Sequence, residues 1–240
     1  MRSHAVLITA EHGGHRIPPE YRRLFAGAND VLRSHRGWDP GSLRVARQLA
    51  SRFKAPLVAC EISRLLVEQN RSRHHPKLFS VYSQSLDPTE REVVLKNFWY
   101  PHRAEILHHI RQLLQSSRCV VHIGVHSFTP VLSGVSRRTD IGLLYDPRRD
   151  TERSLCDLWR HRLSRNLHPL VIHRNQPYRG ISDGLTTWLR TQFDSRHYCG
   201  IELEINNRHL VNWNTRASRI TDAIAASLAT ALSDCSRDCE

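Results

Sequence analysis

The chain's chemistry begins where an apolar run, Ala5-Val-Leu-Ile-Thr-Ala, meets Glu11 and turns through His12-Gly-Gly-His15. A catalytic zinc takes three protein ligands, usually histidine and carboxylate, and keeps a fourth position open for water. His12, Asp39 and His126 can supply that set. Two alternatives stand beside it: His15 forms a close pair with His12, and Asp39 is also placed to cap a helix. The glycines at 13 and 14 let backbone pass near a bound group, and they equally suit a bare turn.

Among 16 histidines, most read as ordinary polar surface, His74, His75, His108 and His109 included. His122 alternates with Gly124 and His126 on one strand face and reads as a hydrogen-bonded interior residue. His126 differs because it ends its strand and leads into Ser-Phe-Thr-Pro130. For a general base there are two candidates, Glu202 and Glu204, which alternation places on one side of a late strand. Glu204 lies nearer the strand end, where a metal held by His12 and His126 should be. Glu202 then makes a supporting contact or an internal ion pair.

These residues need elements to position them. After the first strand, prolines at 18 and 19 open a short helix to Phe25. Asp39-Pro-Gly-Ser42 introduces a clearer helix whose Leu43, Ala46, Leu49, Ala50 and Phe53 keep helical spacing, with Asp39 or Ser42 as its cap. Leu57 to Cys60 is a buried strand, so the opening reads strand, helix, strand, the unit of a parallel sheet. Asp87 opens a long helical region broken near Pro101 and running to about Ser116, before the β-prone run from Cys119 to Val125. Further strands are expected over 140–145, 170–173 and 200–205, and helices over 151–167 and 216–232. This alternation predicts one α/β domain spanning 1–240, with a mixed, largely parallel sheet and helices on both faces. In such folds ligands gather at the carboxyl ends of strands, and His12, His126 and Glu204 all fall there.

Composition narrows the function classes. A chain of 240 residues that is 40% hydrophobic supports a sizeable core. It has neither a run of signal-peptide length at its start nor a membrane-spanning stretch, which predicts a cytoplasmic protein. The six cysteines contain no C-x-x-C pair; Cys60, Cys119 and Cys199 read as buried apolar groups, and Cys235 and Cys239 as incidental to a polar tail. A net charge of +12 would suit a nucleic-acid partner, but the excess arginine is scattered over every segment without a basic block. A small anionic substrate in a basic pocket fits better.

Taken in order, several pieces resemble the N-formylglutamate amidohydrolase family. They are His12-Gly-Gly with Pro18-Pro19, Asp39-Pro-Gly, Ser63-Arg64 followed by Asn70-Arg71, His126-Ser-Phe-Thr-Pro130, Asn175-Gln-Pro-Tyr178 and Glu204-Ile-Asn206. That family is similar in turn to zinc carboxypeptidases and aspartoacylases, so the resemblance implies a zinc-exopeptidase type of fold and one zinc ion. Those relatives place a ligand glutamate three residues after the first histidine; here that position is His15. Asp39, opening a comparable helix, is the better match to the displaced carboxylate. The resemblance further implies that Asn70 and Arg71 bind a substrate carboxylate, that Arg64 polarises the scissile carbonyl, and that Glu204 is the base. Arg137 and Arg138 are candidates for a second substrate carboxylate, since guanidinium presents a donor fork suited to it. The implied reaction is hydrolysis of a small N-acyl amino acid, N-formyl-L-glutamate first. Two alternatives are a deacylase or carboxypeptidase-like hydrolase of other acylated substrates, and a binding protein on the same scaffold.

Overall fold

The structure, a computed structural model, describes residues 2–237. Strand β1 (Arg2–Ala10) is followed by a tight helical turn (Pro19–Phe25), α1 (Asn29–Arg33), α2 (Ser42–Phe53) and β2 (Leu57–Ala59). After a long irregular segment come α3 (Pro88–Val94), a π-helical turn (Leu95–Trp99) and α4 (Tyr100–Leu114). Then follow β3 (Ser117–Phe128), a small hairpin of β4 (Val131–Leu132) and β5 (Val135–Ser136), and β6 (Ile141–Leu144). The chain continues through α5 (Asp150–Asn166), β7 (Ile172–Arg174), α6 (Leu185–Gln192), β8 (Tyr198–Asn206) and α7 (Thr215–Arg237).

Six strands form one sheet in the order β2-β1-β3-β8-β6-β7. The first four are parallel; β6 runs antiparallel to β8, and β7 parallel to β6. Helices cover both faces, as the alternation of elements predicts. The apolar stripes of α2, α5 and α7 pack on one face over Ile8, Ile123, Val125 and Ile201. On the other, Ile106 and Ile110 of α4 and Leu185 and Leu189 of α6 pack over Leu7, Val120 and Tyr198. β3 and β8, central and covered on both sides, are buried on both faces, with Val121, Ile123, Ile201 and Leu203 on one and His122, His126, Glu202 and Glu204 on the other. A third cluster, including Tyr21, Phe25, Leu66, Leu78 and Trp99, lies beneath the irregular segment.

Three local expectations change. Helix α2 starts behind Gly41 with no side-chain cap, because Asp39 turns its carboxylate inward instead. Strand β3 runs past His126 to Phe128, since Ser127 and Phe128 continue the pairing with β8. Pro101 does not break the helix. It falls in the first turn of α4, directly behind the π-helical turn, where its missing N–H and its ring are tolerated. Cys60, Cys119 and Cys199 are buried, whereas Cys239 lies outside the described residues.

Parallel pairing in register brings the strand ends together. His126 pairs with Glu204, and Glu204 pairs on its other side with Gly142. Gly142 is glycine because the Asn175–Tyr178 turn crosses directly over it: a Cβ there would run into the Gln176 carbonyl oxygen and reach 3.4 Å from the Glu204 Cβ. Gly142→Ala should therefore lower stability by about 1–3 kcal/mol, the range for overpacking a filled site. Chemical denaturation measures this, and an unchanged midpoint would show that the turn can lift away.

Candidate active site

The loop after β1 is held by backbone. Gly13 N–H donates to the Cys60 carbonyl at 2.9 Å and Arg16 N–H to that of Glu61 at 3.0 Å, extending the β1–β2 pairing beyond the strands. Gly14 allows this approach, since a Cβ there would lie 2.6 Å from the Glu61 carbonyl oxygen. His12 then faces the Asp39 loop, and the two are joined by Asp39 N–H donating to the His12 carbonyl at 3.0 Å.

Asp39 is the meeting point. Its Oδ2 lies 3.2 Å from His12 Nδ1 and 3.0 Å from His126 Nδ1, and Oδ1 accepts from Arg64 Nη1 at 3.2 Å. Asp39, His12 and His126 are each at most 3% exposed. Their potential ligand atoms all lie within 4.8 Å of one another, the only such metal-binding group of histidine, cysteine, aspartate or glutamate found among the described residues. His15 is exposed, with its ring against Trp38, and stands outside this group.

Two glutamates that sequence reading passed over complete the surroundings. His12 Nε2 hydrogen-bonds Glu68 Oε1, and His126 Nε2 makes an ion-pair contact with Glu11 Oε2 at 3.0 Å that lacks straight hydrogen-bond alignment. Glu68 is clasped by Arg64, whose Nε donates to its Oε2 at 2.8 Å. The donor set thus suits a divalent cation: two imidazoles turn Nδ1 toward one carboxylate while each Nε2 faces another carboxylate, the usual outer support of a metal-bound histidine. No pattern in the sequence marked Glu11 or Glu68, since their pairing depends on contacts between remote segments.

Electrostatics follow this geometry. Burial works against the charge on Asp39, but His12, His126 and Arg64 outweigh it and hold the carboxyl far below its usual range. Burial and Arg64 pull the His12 imidazole down, yet Glu68 and Asp39 raise it overall. His126 is raised well above its usual value against burial, by hydrogen bonding and charge from Asp39 and Glu11. Glu204 differs from the other acids. It is 7% exposed, its Oε2 has no hydrogen-bond partner among the described residues, and burial pushes its pKa up to about 7 despite the nearby His126.

The remaining sequence-predicted residues divide. Arg64 sits in the cluster, with Nε, Nη1 and Nη2 all donating to Glu68 or Asp39. Asn70 accepts from Leu185 N–H at 2.7 Å and lies 3.4 Å from Glu202, which also accepts from Thr186; Arg71 donates through Nη1 to the Asp183 carbonyl at 2.5 Å. Arg137 donates to the Tyr178 hydroxyl at 3.0 Å, and Tyr178 is near enough to Glu204 and Asp39 to feel their charge. Arg138 is exposed. His122 is an interior residue bonded to Thr9 and Tyr198 at 2.8 and 2.7 Å, and burial lowers its pKa to about 4.

The mixed α/β sheet carries a buried His-Asp-His cluster and a buried carboxylate at the carboxyl ends of its strands, and by family the chain is an amidohydrolase. More narrowly, the chain belongs to the N-formylglutamate amidohydrolase family, whose model matches residues 4–211. It is similar to the crystal structure of a gene product from Agrobacterium tumefaciens, with 31% identity and a TM-score of 0.84, covering 96% of this chain and 91% of that one. It shares its fold with an N-formylglutamate amidohydrolase from Ralstonia eutropha at 17% identity and a TM-score of 0.70, covering 96% and 94% of the two chains. Comparison with curated proteins gave no match.

A metal bound at this cluster would compete with protons for His12 and His126. Affinity for zinc, measured by chelator competition, should fall about tenfold per pH unit for each proton displaced as pH drops below the raised histidine pKa values. His12→Ala and Asp39→Ala should each abolish binding, whereas His15→Ala should leave most of it. A pH-independent affinity, or loss of binding in His15→Ala, would contradict this ligand set.

Proposed function

We propose that the chain is a zinc-dependent amidohydrolase acting on small N-acyl amino acids in the cytoplasm, as one catalytic domain, with N-formyl-L-glutamate the leading substrate. The observation that carries this reading is the pairing of His126 with Glu204 on adjacent strands, which sets an unpartnered, buried carboxylate beside the His-Asp-His cluster.

His12, Asp39 and His126 would hold the ion. When bound, zinc lowers the pKa of its water and polarises the scissile carbonyl. Glu204 takes the water's proton on its free carboxylate oxygen and passes it to the leaving nitrogen. A pKa raised by burial suits a group that must both accept and return a proton near neutral pH. Arg64 stabilises negative charge developing on the carbonyl oxygen through guanidinium hydrogens not used on Glu68 and Asp39. Its ion pairs also fix the two carboxylates around His12, so it serves the metal ligands as well as the substrate.

Asn70 and Arg71 bind the α-carboxylate. Arg137, held against Tyr178 and lying over the Phe128 ring at 5.5 Å, receives the side-chain carboxylate, with Arg138 adding charge from the exposed rim. Two anionic groups in the substrate account for arginine on both sides of the cluster without a nucleic-acid partner. The family match supports an amide substrate in the same terms.

Glu204→Gln should retain stoichiometric zinc and lose about 10²- to 10⁴-fold in kcat for N-formyl-L-glutamate, the contribution of a positioned acid–base group. Wild-type turnover in that variant would remove Glu204 as the base. A wild-type protein that binds zinc but hydrolyses no member of a panel of N-acyl amino acids would instead favour a binding role.

A further inference from the structure

Arg103 is a buried cation with no acidic side chain in ion-pair contact among the described residues. It projects from α4, is 3% exposed, and its guanidinium lies 3.8 Å from the Trp99 ring centroid and 5.3 Å from that of Trp188. Burial depresses its pKa to about 10, which leaves it charged at neutral pH. A desolvated charge of this kind costs several kcal/mol, and well-packed apolar residues commonly replace buried ionic groups without loss of stability. Core packing therefore does not explain an arginine here.

Its hydrogen bonds do. Nη1 donates to the Gln69 carbonyl at 2.7 Å and Nη2 to the Arg71 carbonyl at 2.8 Å, so the planar fork spans the two carbonyls on either side of Asn70. Trp99 Nε1 donates to the same Arg71 carbonyl at 3.2 Å, and Gln69 Nε2 to the Phe98 carbonyl at 3.2 Å. The π-helical turn ends at Trp99, and Trp99, Arg103, Ile106 and Ile110 then form one inward line. On the opposite side, the Asn70 and Arg71 side chains reach Leu185 and Asp183 at the start of α6. The Asn70-Arg71 turn is thus clamped between α4 and α6, and Arg103 supplies two of the backbone bonds.

We infer that Arg103 is a positioning residue for substrate binding, holding the Gln69–Arg71 backbone so that Asn70 and Arg71 present their donors to the substrate carboxylate. This rests on the proposed role of Asn70 and Arg71 and extends it to a residue whose guanidinium hydrogen-bonds the turn's backbone rather than the His-Asp-His side chains. Lysine, with a single ammonium, cannot bridge both carbonyls with the same fork, and an apolar replacement leaves both without their donors.

The test uses the zinc-loaded 240-residue chain with Arg103→Met, Arg103→Lys and the milder Trp99→Phe, which removes one donor to the Arg71 carbonyl and leaves a smaller ring beneath the Arg103 guanidinium. Arg103→Met should raise KM for N-formyl-L-glutamate about tenfold or more, the scale of one lost charge-assisted hydrogen bond, with kcat within about twofold. Zinc affinity should be unchanged, Arg103→Lys and Trp99→Phe should shift KM less in the same direction, and calorimetric binding of L-glutamate should weaken in parallel. Amide hydrogen exchange over residues 69–72 should accelerate, while that of β1 and β3 does not. A variant that folds with unaltered KM, L-glutamate affinity and exchange would overturn the inference, as would equal losses in kcat and zinc affinity. If Arg103→Met does not fold, the same criteria apply to Trp99→Phe. Failure of wild-type protein to hydrolyse or bind these compounds would overturn the functional reading instead, and exchange at 69–72 would still report whether Arg103 clamps the turn.

Discussion

The site depends on one carboxylate kept charged in the interior. Asp39 is 3% exposed, and an isolated carboxylate so placed would take up a proton rather than remain ionised. It stays ionised because two imidazole nitrogens and a guanidinium converge on it from three separate parts of the chain. Each of those partners is in turn fixed by another acid: His12 and Arg64 by Glu68, His126 by Glu11. The cluster is therefore cooperative. Removing Asp39 would leave two buried imidazoles facing each other and free Arg64 from one of its two anchors.

The sheet explains why these groups meet. Parallel β1, β3 and β8 end on the same edge, and their register, rather than local sequence, sets His12, His126 and Glu204 side by side. Around that edge neighbouring segments approach closely at Gly14 and Gly142, where a side chain would not fit. Part of the chain's +12 charge is local to this edge: Arg64 pairs with Asp39 and Glu68, and Arg137 bonds Tyr178, which feels the charge of Glu204 and Asp39.

Much of the fold was legible because its signals are local. Strand β1 ends where apolar residues give way to Glu11 and His12, and the stripe of α2 from Leu43 to Ala50 is buried as its spacing predicts. The resemblance likewise singled out His12, Asp39 and His126, which the structure brings together. What sequence reading missed depends on long-range contacts. Spacing leaves Asp39 open between ligand and helix cap, and its contact with His126, 87 residues away in sequence, decides against the cap. Glu11 and Glu68 have no motif of their own, and Pro101 reads as a break because nothing local announces the π-helical turn before it. Helix α6 and the β4–β5 hairpin are too short for periodicity to show.

The proposed function requires a metal between His12, Asp39 and His126 with Glu204 beside it. Anomalous diffraction at the zinc edge, from crystals grown with zinc and L-glutamate, tests this most directly. The account predicts a single strong peak bounded by the Nδ1 atoms of His12 and His126 and an Asp39 oxygen, with the Glu204 carboxylate on its open side and the amino acid's carboxylate at Asn70-Arg71. A peak held by His15, or no peak at this cluster in zinc-saturated protein, would contradict it.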